Sequence, residues 1–168
     1  RGRAKVERVL GPAARIESVL EGLLVERGAR VPFEPFELGE PSVDARTDLR
    51  RLTTFTIDPD TAKDFDDAIS VAREGDGVRA WVHIADVSWF VPKGSALDNE
   101  ASQRGNSCYF PGHVIPMLPE MLSNGVCSLQ EAVPRLCKSA FITYDDDAQP
   151  ISAKFANTII NRRKRLRY

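Results

Sequence analysis

Cysteine is scarce in this chain. Its 168 residues hold Cys108, Cys127 and Cys137, an odd number with no CxxC spacing. A zinc site and a disulfide framework are thereby disfavoured, and a reducing cytosol fits. No stretch approaches the roughly 18 consecutive apolar residues of a transmembrane helix. No positively charged leader with an apolar core marks a signal peptide. A cytoplasmic protein with no membrane partner is expected. Internal repeats and low-complexity tracts are also missing. Net charge is only −1, so bulk charge does not announce a nucleic-acid binder. The chain opens on Arg1 rather than Met and is expected to be a piece of a longer polypeptide.

The charges are nonetheless unevenly placed. Arg1, Arg3, Lys5 and Arg8 cluster at one end, and Arg162, Arg163, Lys164, Arg165 and Arg167 at the other. Acidic residues gather between Asp58 and Asp67 and at Asp145, Asp146 and Asp147. Either basic cluster alone reads as a solvated terminus. Around an acidic centre, the two together suit a polyanion.

The acidic centre is the stretch FTIDPDTAKDFDDAIS, residues 55–70, which carries Asp58, Asp60, Asp64, Asp66 and Asp67. Apolar residues frame it: Phe55 and Ile57 before, Ala68, Ile69 and Val71 after. Such flanks predict short strands that press the loop against a core. Crowded carboxylates repel one another and lose hydration when partly buried, and a hard divalent cation, Mg²⁺ or Mn²⁺, offsets both costs. A solvated turn is the plainer reading of DFDD on its own. A Ca²⁺ loop of the EF-hand kind is disfavoured, because Pro59, Thr61, Ala62 and Lys63 break its alternation and no glycine falls inside.

Around this loop the pattern predicts a helix over 13–27, with Ile16, Val19, Leu20, Leu23 and Leu24 on one packed face and Gly28 after its end. Residues 31–50 read as an irregular, proline-punctuated connection. Strands are expected at 53–58, 67–73 and 78–87, with a turn at Gly75-Asp76-Gly77. In the third, Trp81, His83 and Ala85 share one face, while Val82, Ile84 and Val87 look core-like. His83 reads as a hydrogen-bonded structural histidine rather than a base. Ser95 caps a helix over 96–104 with Asp98 at the capping-box position. Residues 105–120 suggest an ordered functional loop, and residues 121–130 short helical turns. Strands follow at 136–145 and 150–158, joined by a hairpin turn at Asp145-Asp146-Asp147. Another strand starts at Ile159. Residues 1–10 read as a strand of a preceding element.

TIDPDTAKDFDDAI resembles the signature of the ribonuclease II and ribonuclease R family, whose catalytic module is the RNB domain. The likeness continues through the run from WVHIADV at residue 81 to FITYD at residue 145, and RGRAKVERVLG resembles the end of that family's cold-shock-type domain. The resemblance implies residues 1–11 as the end of a cold-shock-type β-barrel, 12–50 as helix and linker, and 51–168 as the amino-terminal half of an RNB domain. The implied fold class is α+β, a mixed, mostly antiparallel sheet with packed helices. The implied activity is processive 3′→5′ exoribonuclease hydrolysis of single-stranded RNA to nucleoside 5′-monophosphates with Mg²⁺, without a preference for DNA. Asp58, Asp64, Asp66 and Asp67 match the family's site aspartates, with Asp64 and Asp66 as catalytic candidates. Loss of Asp66 is expected to hurt turnover most, and Asp58 and Asp67 to carry most of the metal binding. Asp60 matches no family role. Tyr109 matches an aromatic near the 3′-terminal nucleotides. The family's RNB domain is about twice this long, so the missing carboxyl-terminal half, with an arginine, a glutamate and a second tyrosine, is an expected partner. A non-catalytic RNA-binding or assembly module is the alternative.

Overall fold

Runs of β-branched and apolar residues alternating with short polar ones form strands, and here they build one large sheet. The computed structural model describes residues 5–28, 32–110 and 113–167. Its strands are β1 (Thr47–Asp48), β2 (Phe55–Ile57), β3 (Asp67–Glu74), β4 (Gly77–Ala85), β5 (Cys108–Phe110), β6 (His113–Ile115), β7 (Pro134–Tyr144), β8 (Pro150–Asn161) and β9 (Lys164–Leu166). Helices are α1 (Ile16–Glu26), the single turn α2 (Val87–Phe90) and α3 (Ala96–Arg104), with a π-helical turn at Met121–Val126.

Seven strands pair in the order β1-β8-β7-β4-β3-β2-β9. The two outermost pairings, β1 with β8 and β2 with β9, are parallel, and the four inner ones are antiparallel. The fold class is therefore the expected α+β arrangement with a mixed, mostly antiparallel sheet. At the β3–β4 turn, a Cβ on Gly77 would stand 2.1 Å from the Tyr144 carbonyl oxygen, so only glycine lets β4 start beside the end of β7.

One sheet face is buried by α2, α3, the π-helical turn and the irregular connection over 33–44. Its core joins Phe65, Ala68, Phe90, Leu97, Leu122, Leu129, Leu136 and Ile160, with Phe33, Phe36 and Leu38 packed against them. The connection is fastened by a buried ion pair, Arg46 Nη2 to Asp86 Oδ2 at 2.7 Å. Ser95 caps α3 by accepting from the Asp98 amide at 3.1 Å, as expected.

A polar ladder runs through the middle of this face. Thr54 Oγ1 and Ser70 Oγ lie 2.8 Å apart, Ser70 Oγ and His83 Nε2 3.1 Å, His83 Nδ1 and Ser139 Oγ 2.7 Å, and Ser139 Oγ and Thr158 Oγ1 2.6 Å. All five residues are buried, so the sheet registers its strands by hydrogen bonds as well as by packing. His83 is structural, as the sequence suggested.

Four expectations need correction. Val82 is only half-buried and Ile84 is 48% exposed, because both point to the opposite sheet face, where nothing among the described residues covers them. The apolar stripe of α1 is not packed as a whole: Leu24 is buried, whereas Ile16, Val19 and Leu23 are exposed. Residues 5–10 form no strand and run beside α1, where Arg8 pairs with Glu21, and residues 1–4 lie outside the described part. The expected fresh strand at Ile159 is instead the continuation of β8, and the chain restarts as β9 three residues after it.

Candidate metal and substrate site

β2 and β3 are antiparallel neighbours, with Phe55 opposite Ile69. The nine residues between them, 58–66, are too many for a tight turn and form the acidic loop. Asp58 extends β2: its amide donates to the Leu166 carbonyl at 3.2 Å. Asp67 is the first residue of β3 and faces Ile84 in β4. The two ends of the loop are thus fixed by the sheet.

Phe65 fixes its middle. The ring is buried in the core, so Asp64 and Asp66 on either side stay exposed. Ser128 ties the backbone here, its hydroxyl donating to the Lys63 carbonyl at 2.9 Å and accepting from the Phe65 amide at 3.2 Å. The Leu129 amide donates to the Phe65 carbonyl at 2.9 Å, and the Ala85 amide to that of Asp66 at 2.9 Å.

Two of the carboxyl-terminal arginines, Arg162 and Arg165, lie beneath the loop rather than in solvent. The guanidinium carbons of Arg162 and Arg165 stand 4.4 and 4.9 Å from the Phe65 ring centroid. Arg162 Nη1 donates to Thr56 Oγ1 at 2.7 Å, and Arg165 Nη2 donates to the Pro59 carbonyl. Arg167 pairs with Asp60 at 3.0 Å, which gives the loop residue without a family role a structural one. Sequence reasoning missed this arrangement and also missed Ser128.

The electrostatics suit a cation. The Asp66 carboxyl is pushed above the usual carboxylate range, first because the surrounding protein strips part of its hydration, then by the charges of Asp64, Asp67 and Asp58. Asp58 Oδ2 is a buried acceptor with no hydrogen-bond partner. Among the described residues, no three carboxylate, histidine or cysteine side chains already stand in metal-holding geometry. All-oxygen donors, one of them buried and unpaired, nevertheless fit a hard divalent ion such as Mg²⁺ or Mn²⁺. The two buried thiols offer no rival chemistry. Burial pushes Cys127 up to about 11 and Cys137 up to about 12, and both are inert at neutral pH.

A cleft of about 460 Å³ opens beside the loop, lined by Lys63, Asp64, Tyr109, Glu120, Ser123 and Asn124 among others. The predicted functional loop is in part a small hairpin, β5–β6, that places Tyr109 opposite Val114 and leaves it 70% exposed. The opposite wall is the π-helical turn, a distortion often found at functional sites. Asp64 and Tyr109 therefore share one cleft. The second acidic cluster is remote in role: Asp145 accepts from the Gln149 amide at 2.7 Å and shapes the β7–β8 hairpin, as expected.

Among the described residues, no helix is long and apolar enough to cross a membrane. The sequence pattern of the RNB domain matches residues 46–168. Ribonuclease R of Vibrio cholerae is 47% identical over 133 residues, 79% of this chain and 16% of that protein. A solved structure described as Mycoplasma genitalium RNase R in complex with double-stranded RNA superposes with a TM-score of 0.84 at 32% identity, covering 96% of this chain and 31% of that one. Yeast Ssd1, described as a pseudonuclease, superposes with a TM-score of 0.75 at 18% identity, a likeness of fold alone. The chain spans less than a third of the length of the Vibrio and Mycoplasma proteins. With the aspartate loop, the sheet that presents it and a family match across most of its length, the chain belongs to the ribonuclease II and R family, as part of an RNB domain.

Proposed function

We propose that the chain carries the aspartate-bearing half of a 3′→5′ exoribonuclease site that hydrolyses single-stranded RNA to nucleoside 5′-monophosphates in the cytoplasm. The observation that supports this most is the cleft shared by Asp64 of the crowded aspartate loop and the exposed Tyr109 ring. Asp58, Asp64, Asp66 and Asp67 would hold Mg²⁺, with Mn²⁺ as a substitute. Divalent ions supply an activated water and stabilise a leaving 3′-oxygen in such hydrolysis. Asp64 and Asp66, exposed on either side of buried Phe65, face the scissile phosphate. Tyr109 stacks on a terminal base, which needs no particular sequence and no deoxyribose.

The test is incubation of the chain with 5′-labelled single-stranded RNA in Mg²⁺ and then in EDTA. A ladder that depends on Mg²⁺ and ends in short oligonucleotides is expected, and Tyr109→Ala is expected to weaken RNA binding by about 1–3 kcal/mol, the worth of one base stack. RNA binding that ignores EDTA, without cleavage, would instead favour a non-catalytic binding or assembly module.

The proposal includes the rest of the enzyme as partner. The uncovered sheet face sets Phe55, Ile69, Val82, Ala140 and Phe155 in one cross-strand row. Phe155 is 81% exposed, and Ile84 and Val71 are exposed beside it. A broad apolar face on central strands needs a second layer, and relatives several times longer have the chain to supply one. Sedimentation of the isolated chain is expected to show self-association that rises with concentration and is reduced in Phe155→Glu. A monomer at every concentration would count against a missing layer.

A further inference from the structure

We propose that Arg162 and Arg165 are positioning residues for the acidic loop, gripping Phe65 from the sheet side so that Asp64 and Asp66 keep their places while the carboxylates repel. The role of the loop in metal binding rests on the function proposed above, and the grip itself does not.

Five carboxylates within ten residues push the loop open. Ser128 and Leu129 resist only through backbone bonds at 63–65. The side chain that holds its middle is the Phe65 ring, and both guanidinium groups lie within cation–π reach of it. The arginines are placed as if for this. Arg162 is only 4% exposed, yet among the described residues no carboxylate comes within ion-pair distance of it or of Arg165. The Nε of each is buried without a partner. A buried cation lacking a direct charge partner is costly. Burial works against the charge of Arg162, while Glu131 and Asp58 favour it from beyond contact. The pair therefore acts as a fixed counter-charge under the loop. It softens the repulsion without occupying the carboxylate oxygens, which stay free for a cation. Arg165 adds a second hold on the loop backbone at Pro59, and Arg162 fixes Thr56 in β2, so β9 and the loop move together.

The variants are chosen to spare the fold. Phe65→Leu keeps an apolar anchor and removes the ring. Phe65→Tyr keeps the ring. Arg165→Gln removes a charge that is only partly buried. Amide exchange over residues 58–67 is measured in the metal-free chain, and affinity for Mn²⁺ alone by the paramagnetic resonance of free ion. The expected result is faster exchange and affinity weakened about 10-fold or more in Phe65→Leu and Arg165→Gln, the scale of losing a group that orients ligands, with Phe65→Tyr restoring both. Unchanged exchange would overturn the grip. Faster exchange with unchanged Mn²⁺ affinity would overturn the link to ligand positioning. A wild-type chain that binds no Mn²⁺ would defeat the proposed function and that link, while the exchange result would still decide the grip.

Discussion

Asp66→Asn is expected to lower RNA turnover by the assembled enzyme at least about 100-fold, the scale of removing one preorganised electrostatic group from a site. The substitution keeps shape and removes charge. Asp66 is the carboxylate that feels the charge of the others: Asp64, Asp67 and Asp58 all raise its pKa, after the desolvation that dominates. A group so placed is unfavourable to the fold and useful only with a cation or substrate nearby. The sign of the stability effect follows. A carboxyl with a folded-state pKa above its unfolded value is penalised at neutral pH, and the penalty fades as pH falls through that raised value towards 3.8. Asp66→Asn is therefore expected to melt no lower than the wild type at pH 7 while losing turnover. Full turnover in this variant would defeat the proposed site, and a lower melting temperature would defeat the electrostatic account of it.

Much of this was legible in the residues. The apolar frame around residues 58–66 predicted a strand–loop–strand and the structure has one, because period-two alternation is a local signal that tertiary packing rarely reverses. Ser95 and Asp98 announced the start of α3 by the same local logic. The arginines at 162 and 165 looked like a solvated tail because nothing local says that β9 returns beside β2, which lies more than a hundred residues earlier. Val82 and Ile84 looked like core because hydrophobicity tells that a face is covered, not by what, and here the covering layer is not among the described residues. Ser128 gave no signal at all, since a lone serine after a π-helical turn resembles any loop residue.

The polar ladder yields the other large effect. Stability of the chain is expected to fall by about 3 kcal/mol between pH 7 and pH 4 through His83 alone, a large part of the few kcal/mol that hold a domain together. Burial takes the ring from its ordinary 6.5 down to about 4, because an imidazolium held between Ser70 and Ser139 would lose its hydration. The folded state thus keeps His83 neutral where the unfolded chain takes up a proton. The stabilisation is fully present above 6.5 and is lost as pH falls from 6.5 towards about 4. Asp86 adds to the loss only below 3.8: burial alone would raise its carboxyl, but Arg46 and Ser88 outweigh that and hold it down, so it gains protons late. Asp66 works in the opposite sense just above 3.8. Urea unfolding at a series of pH values should show a slope that begins near 6.5, and His83→Gln, which can still bridge the two serines, should flatten it even if the variant is less stable at pH 7. A wild-type profile that stays flat from 6.5 to 4.5 would mean that the buried ring finds room for its proton, and that the ladder is looser than its 2.6–3.1 Å spacings imply.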